Sequence, residues 1–284
     1  MRQELEDGIS KELTALKPVS LGYELSPDLP IGFMDSGMGG LSVLREARKV
    51  MPEEDFIYFG DSANAPYGTK PEEEIRRCTF QVVDYLLNRK IKGLAIACNT
   101  ATSAAVARLR LLYPELPLVG IEPALKPAAE RFPGKEILVM ATPMTIEQEK
   151  FHNLLARYEN QAKIVPVPCA GLMEFVEQGS IYGDELDGYF EEHLGKYMHD
   201  DVKAIVLGCT HYPFLKKQLR AYLGDRDVQL LDGSLGTSRE LRRRLEEKHL
   251  LKTKSGEGSL ELLNSAGEEK TTLAKKLLAL PNIE

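Results

Sequence analysis

The sequence predicts an α/β protein built from two similar domains with mainly parallel sheets flanked by helices. Two observations carry this. Short apolar runs alternate with helical patterns along most of the 284 residues. The strand–helix order also begins twice: one series opens at "IGFM" and a second at "EILVMA". Each series holds a strand that ends in a cysteine, "GLAIAC" and "KAIVLGC", at a similar interval from its start.

The elements follow in order. Residues 1–29 are charged and irregular, with Pro18 and Pro27, and read as a loose or weakly helical extension. "IGFM" is a strand and "LSVLREARKV" a helix. "DFIYFG" is the next strand, and "DSANAPYGTK" is a loop. Pro71 stands at a first helical position, and the acids behind it suit the positive end of a helix. Ile75, Cys78, Val82 and Leu86 recur at helical spacing, which makes Cys78 a core residue. "GLAIA", a helix and "PLVGI" complete the first series.

In the second series a helix is expected from about Thr145. "AKIVPVPC" is a strand, with Cys169 again a core thiol. "LMEFVEQGSI" gives a short helix, and a longer one spans Asp184 to Tyr197. "KAIVLG" and "VQLLDG" are strands. Beyond Asp232 one more strand, "SLELLNS", and helices on either side read as a return to the first sheet. The expected domains are residues 30–122 completed by 231–284, and 123–230.

The composition, with 43% apolar and 28% charged residues, is that of a globular protein. A net charge of −7 argues against a general nucleic-acid binder. No run is apolar enough for a membrane span, and the first residues lack a signal core, so a cytoplasmic location is expected. Four cysteines with no CxxC pair do not read as zinc ligands or a disulfide framework. GxGxxG fails at Ser42, and no Walker lysine occurs.

Chemistry is expected at the C-terminal strand ends, in the cleft between the domains. Asp35-Ser36, Cys98-Asn99-Thr100, Thr142 and Cys209-Thr210-His211 fall there. A thiol on each face of a ligand suits removal of a carbon-bound proton from one side and its return to the other. Cysteine titrates within reach of tuning by its neighbours. His211 can hold a proton for Cys209, and Asp35 can do so for Cys98. Two other readings stand beside racemisation: a one-thiol isomerase or decarboxylase, and a binding protein without turnover.

The motifs "DSGMGGLSVL", "GDSANAPYGTK", "ACNTATSAA" and "LGCTHYPFL" occur in this order. On them the chain resembles the bacterial glutamate racemases of the cofactor-independent aspartate/glutamate racemase superfamily, from about Ile31 to Leu280. The resemblance implies L- to D-glutamate interconversion for peptidoglycan synthesis, with no cofactor and no metal, often in a homodimer. It implies no nucleic-acid or membrane partner. It makes Cys98 and Cys209 the acid/base pair, the first acting on D-glutamate and the second on L-glutamate. Asp35 and His211 assist them, and Glu177 of "FVEQG" joins the catalytic set. Asp35, Ser36, Tyr67, Gly68, Asn99, Thr100, Thr210 and His211 are implied substrate contacts. Met38 stands where the family pattern leads us to expect valine or a similar residue, and the extension is longer than in minimal members.

Overall fold

A computed structural model describes residues 16–253 and 256–281. The first series forms β1 (Ile31–Asp35), α1 (Leu41–Val50), β2 (Phe56–Gly60), α2 (Glu72–Asn88), β3 (Gly93–Ile96), α3 (Asn99–Leu112) and β4 (Leu118–Gly120). The second forms α4 (Leu125–Arg131), β5 (Glu136–Ala141), α5 (Pro143–Glu147), α6 (Glu149–Ala156), β6 (Lys163–Pro168), α7 (Leu172–Gln178), α8 (Asp184–Leu194), β7 (Val202–Leu207), α9 (Lys216–Leu223) and β8 (Gln229–Asp232). The chain then returns through α10 (Ser234–Glu247), β9 (Leu260–Asn264) and α11 (Glu268–Leu278).

Two parallel sheets result, ordered β4-β3-β1-β2-β9 and β6-β5-β7-β8. Helices cover both faces of each, giving two α/β domains. Strands buried on both faces need unbroken apolar runs. Every residue of β1 and β3 is buried, which is why "IGFM" and "GLAI" do not alternate. β6 carries Pro166 and Pro168 and lies at a sheet edge, where a missing N–H costs no ladder bond. β9 pairs with the free edge of β2, so the returning strand does complete the first sheet.

Two segments link the sheets, one between β4 and β5 that holds Glu122 and one between β8 and β9 that holds Gly233. They touch: a Cβ on Gly233 would lie 2.3 Å from the Glu122 carbonyl oxygen. A further contact binds the halves: Ser42 Oγ donates to the Thr210 carbonyl at 2.9 Å. Within the first domain, Ser238 Oγ of α10 donates to the Val43 carbonyl of α1 at 3.2 Å.

Two expectations, for the helix after β5 and for the extension, need correction. Helix begins at Pro143 rather than Thr145, because the Thr142 hydroxyl accepts the Thr145 N–H and caps it. Extended backbone at Gln148 then breaks the helical stretch in two. After Cys209 the chain makes one tight 3₁₀ turn, Tyr212–Leu215, before α9. The extension falls partly outside the described residues, and residues 16–30 are irregular but not loose. The Val19 N–H donates to the Leu112 carbonyl at 2.7 Å, and the Tyr23 hydroxyl donates to that of Ile91 at 2.8 Å. Lys92 donates to the Pro27 carbonyl at 2.5 Å. That lysine is itself fully buried and paired with buried Glu54 at 2.5 Å. Cys78 and Cys169 are buried core thiols, as their positions in the sequence suggested.

Candidate active site

The two halves repeat one device. In each sheet the first strand of the series (β1, β5) has its successor on one side and the cysteine-bearing strand (β3, β7) on the other. The order of connections reverses there, and such switch points open a crevice at the strand ends. The residue before each cysteine extends the ladder alike. Ala97 N–H donates to the Met34 carbonyl and Gly208 N–H to that of Met140, both at 2.7 Å. Cys98 and Cys209 therefore stand at equivalent switch points of separate sheets.

Their surroundings differ. Cys98 is 6% exposed and caps α3, its Sγ accepting the Ala101 N–H at 3.5 Å. Ser36 Oγ lies 3.3 Å from the same sulfur. Burial pushes the Cys98 thiol up to about 12, the Asp35 charge adds to the rise, and Ser36 and Ala101 offset part of it. The Cys209 sulfur raises it further. Asp35 is fully buried, and burial raises its carboxyl above the usual range. Its Oδ2 accepts the Gly37 N–H at 2.9 Å and faces the Tyr58 hydroxyl at 3.4 Å.

Beside Cys209 sits a charge-coupled pair. His211 Nδ1 is 3.6 Å from Cys209 Sγ, and its Nε2 is 2.8 Å from Glu177 Oε1. Burial alone would lower the His211 proton affinity, but the bonds to Cys209 and Glu177 outweigh it and hold the ring's affinity well above the ordinary value. Burial would likewise raise Glu177, yet His211, the Met38 N–H and Lys270 bring its carboxyl down to about 2. The imidazolium is thus the favoured form. It donates from one nitrogen toward the sulfur and from the other to a carboxylate.

The glycine-rich turn after β1 lets the domains meet here. A Cβ on Gly39 would lie 2.5 Å from both His211 Nδ1 and Thr210 Oγ1, and one on Gly37 would lie 2.3 Å from Glu177 Oε1. Ser36, Thr100 and Thr210 are buried. Asn99 and Thr100 open α3, where first-turn amides have no carbonyl behind them in the helix. Asp35 Oδ1 and Asn99 Oδ1 are buried acceptors with no protein donor.

The structure brings Asp35, Ser36, Cys98, Asn99 and Thr100 to one side and Glu177, Cys209, Thr210 and His211 to the other. Tyr67 differs in kind from a side-chain contact. Its hydroxyl is committed to Asp61 Oδ2 at 2.7 Å in the core, so the Tyr67-Gly68 stretch can offer only its backbone. Gly68 lies near Thr142 of the other domain, 3.6 Å from a built Cβ to its hydroxyl. Asp61 and Tyr58 are positioning groups that the sequence reading missed. A tyrosine on a fully apolar strand needs a partner for its hydroxyl, and that was the available signal for Tyr58. Among the described residues no group of three or more His, Cys, Asp or Glu side chains could hold a metal, and no helix is long and apolar enough to cross a membrane.

Two α/β domains thus each carry a thiol at an equivalent switch point, and comparison with known proteins gives the class, a racemase. The chain belongs to the Asp/Glu/hydantoin racemase family, whose model matches residues 41–235. Within that family it falls among the glutamate racemases, which makes it an amino-acid racemase, an isomerase. The glutamate racemase of Clostridium botulinum (strain Alaska E43 / Type E3) is 51% identical over 250 residues, spanning 88% of this chain and 96% of that protein. The Francisella tularensis glutamate racemase, solved in complex with D-glutamate, superposes with a TM-score of 0.77 at 28% identity over 89% of this chain and 95% of that one. The Escherichia coli glutamate racemase, in complex with L-glutamate and the activator UDP-MurNAc-Ala, gives a TM-score of 0.77 at 29% identity over 88% of this chain and 94% of that one.

Proposed function

We propose that this chain interconverts L- and D-glutamate by a two-base transfer at Cα between Cys209 and Cys98, using side chains alone. The observation that carries the reading is the pair of thiols at equivalent switch points, each with its own acid/base neighbour. From L-glutamate, Cys209 as thiolate takes the Cα proton, and the Cys98 thiol gives its proton to the opposite face. From D-glutamate the roles reverse. Burial keeps Cys98 protonated at neutral pH, so it rests as the donor. After a turnover the Cys209 thiol gives up a proton to solvent and the Cys98 thiolate takes one from solvent, which returns both sulfurs to their starting forms.

The remaining groups fit an amino acid. Its ammonium is a donor, and the orphan acceptors Asp35 Oδ1 and Asn99 Oδ1 suit it. Its α-carboxylate suits the hydroxyls of Thr100 and Thr210 and the first amides of α3. The Tyr67-Gly68 backbone, with Ser36 nearby, suits the side-chain carboxylate. The complexes of the Francisella and Escherichia coli racemases with D- and L-glutamate support this substrate. The same reading includes D-glutamate supply for peptidoglycan in the cytoplasm and a homodimer, which light scattering of the purified protein tests.

A chirally resolved assay on both glutamates and both aspartates, with no cofactor added, tests the reaction. Either glutamate should run to an equal mixture. Cys98→Ala and Cys209→Ala should each lower kcat/KM by at least about 1,000-fold. Enantiomers in water have equal free energy, so the loss must be the same in both directions. Full two-way turnover by Cys209→Ser would replace this reading with a one-thiol reaction.

A further inference from the structure

We propose that Lys270 is a positioning residue that organises the Cys209–His211 pair by holding Glu177 from the opposite domain. The inference rests on the racemase reading above.

Glu177 stands in the last turn of α7, in the second domain. Only one of its partners, His211, belongs to that domain. The Met38 N–H, which donates to Oε1 at 2.8 Å, comes from the turn after β1. Lys270 comes from the first turns of α11, which packs on β9 and α1 of the first domain. Its ammonium donates to the Glu177 carbonyl at 2.7 Å and to Oε2 at 3.3 Å. One lysine thus fixes both the backbone and the side chain of one residue.

The carbonyl contact has its own logic. The last carbonyls of a helix lack intrahelical donors, and a cation there also meets the negative end of the helix dipole. The Gly179 N–H goes to the Val176 carbonyl and the Ser180 N–H to that of Phe175. Lys270 serves the next carbonyl from across the interface. Beside it, Gly179 ends α7 at φ +79°, and a Cβ there would lie 3.3 Å from Leu273 of α11. Met38 and Lys270 thus hold Glu177 from the first domain while its Oε1 anchors His211 Nε2 at 2.8 Å, and without Lys270 the ring that serves Cys209 loses part of its fixed anchor. In this way the first domain fixes the acid/base pair of the second.

A double-mutant cycle tests this with L-glutamate racemisation in the intact enzyme: wild type, Lys270→Met, Glu177→Gln and both together, with Lys270→Arg alongside. Lys270→Met should lower kcat about 10-fold with KM changed less than about 3-fold. The same change in the Glu177→Gln background should alter kcat by less than about 2-fold. Lys270→Arg, which keeps the cation, should recover most of the rate. An equal loss in both backgrounds would overturn the proposal, since Lys270 would then act independently of Glu177. So would Lys270→Met at the wild-type rate, or Lys270→Arg as slow as Lys270→Met at an unchanged melting temperature. Inactive wild type would instead count against the racemase reading, so the two failures are distinct.

Discussion

Glu177→Gln removes one charge and keeps the shape of the side chain. The carboxyl is held at about 2 against an ordinary value of 4.5, a difference worth about 3 kcal/mol between its charged and neutral forms. His211 provides the leading favourable contributions, ahead of Met38 and Lys270. A loss of about 2 kcal/mol of transition-state stabilisation, within that difference, corresponds to a roughly 30-fold loss of kcat if the imidazolium is needed in the transition state. The direction in pH follows. His211 is raised in the folded enzyme, so its charge persists to higher pH than in a free histidine. Without the carboxylate, burial of a ring only 2% exposed pulls its proton affinity back down. The variant should lose activity at lower pH than wild type on the alkaline side. Racemisation followed by chiral chromatography across a pH series measures both effects. A kcat within about 2-fold of wild type, with the alkaline limb unmoved, would refute the relay through Glu177.

Three further outcomes are expected. Glu177 has a depressed folded-state value, so its contribution to stability is present above pH 4.5 and is lost as pH falls toward 2. Urea unfolding at stepped pH should therefore show wild type losing about 3 kcal/mol more than Glu177→Gln across that window. Asp35→Asn removes a charge that disfavours the Cys98 thiolate, so in a Cys209→Ser background the Cys98 thiol should titrate below its value of about 12. Ultraviolet thiolate absorbance, with Cys98→Ala as the blank, reads that fall. Lys92→Met leaves buried Glu54 without its cation and should cost about 3–5 kcal/mol in unfolding experiments, with kcat per folded molecule unchanged.

Much of the scaffold was legible because parallel strands buried on both faces leave a simple trace. "GLAI" and "VKAIVL" are apolar at nearly every position, and the cysteine ends each run where the crevice begins. The pairing of β9 with β2 was within reach for the same reason, once a strand and a helix remained after the second series. Boundaries at Pro143 and Gln148 depended on one hydroxyl cap and one extended residue, which periodicity does not register. The site was only partly legible. Cys98, Cys209 and their immediate neighbours announce themselves by lying at strand ends. Glu177 lies on an ordinary short helix, and only the family resemblance singled it out. Asp61 sits in the same loop as Tyr67, six residues away, but a carboxylate in a polar loop carries no sign that it holds a buried hydroxyl. Lys270 is further still from view. It is one of several lysines on an exposed helix, and its meaning comes from the other domain's approach. The extension illustrates the same limit, since its anchors are carbonyls such as Leu112 and Ile91 that no side-chain pattern marks.

The central claim is that two thiols work on opposite faces of one carbon, and isotope placement tests it most directly. Starting from L-glutamate in D2O and stopping at low conversion, the D-glutamate formed should carry deuterium at Cα, because Cys98 exchanges with solvent before it donates. The remaining L-glutamate should still carry protium, because Cys209 keeps the proton it removed until product leaves. Deuterium entering the remaining L-glutamate as fast as D-glutamate forms, or protium carried across into D-glutamate, would mean that one base serves both faces and would contradict the account.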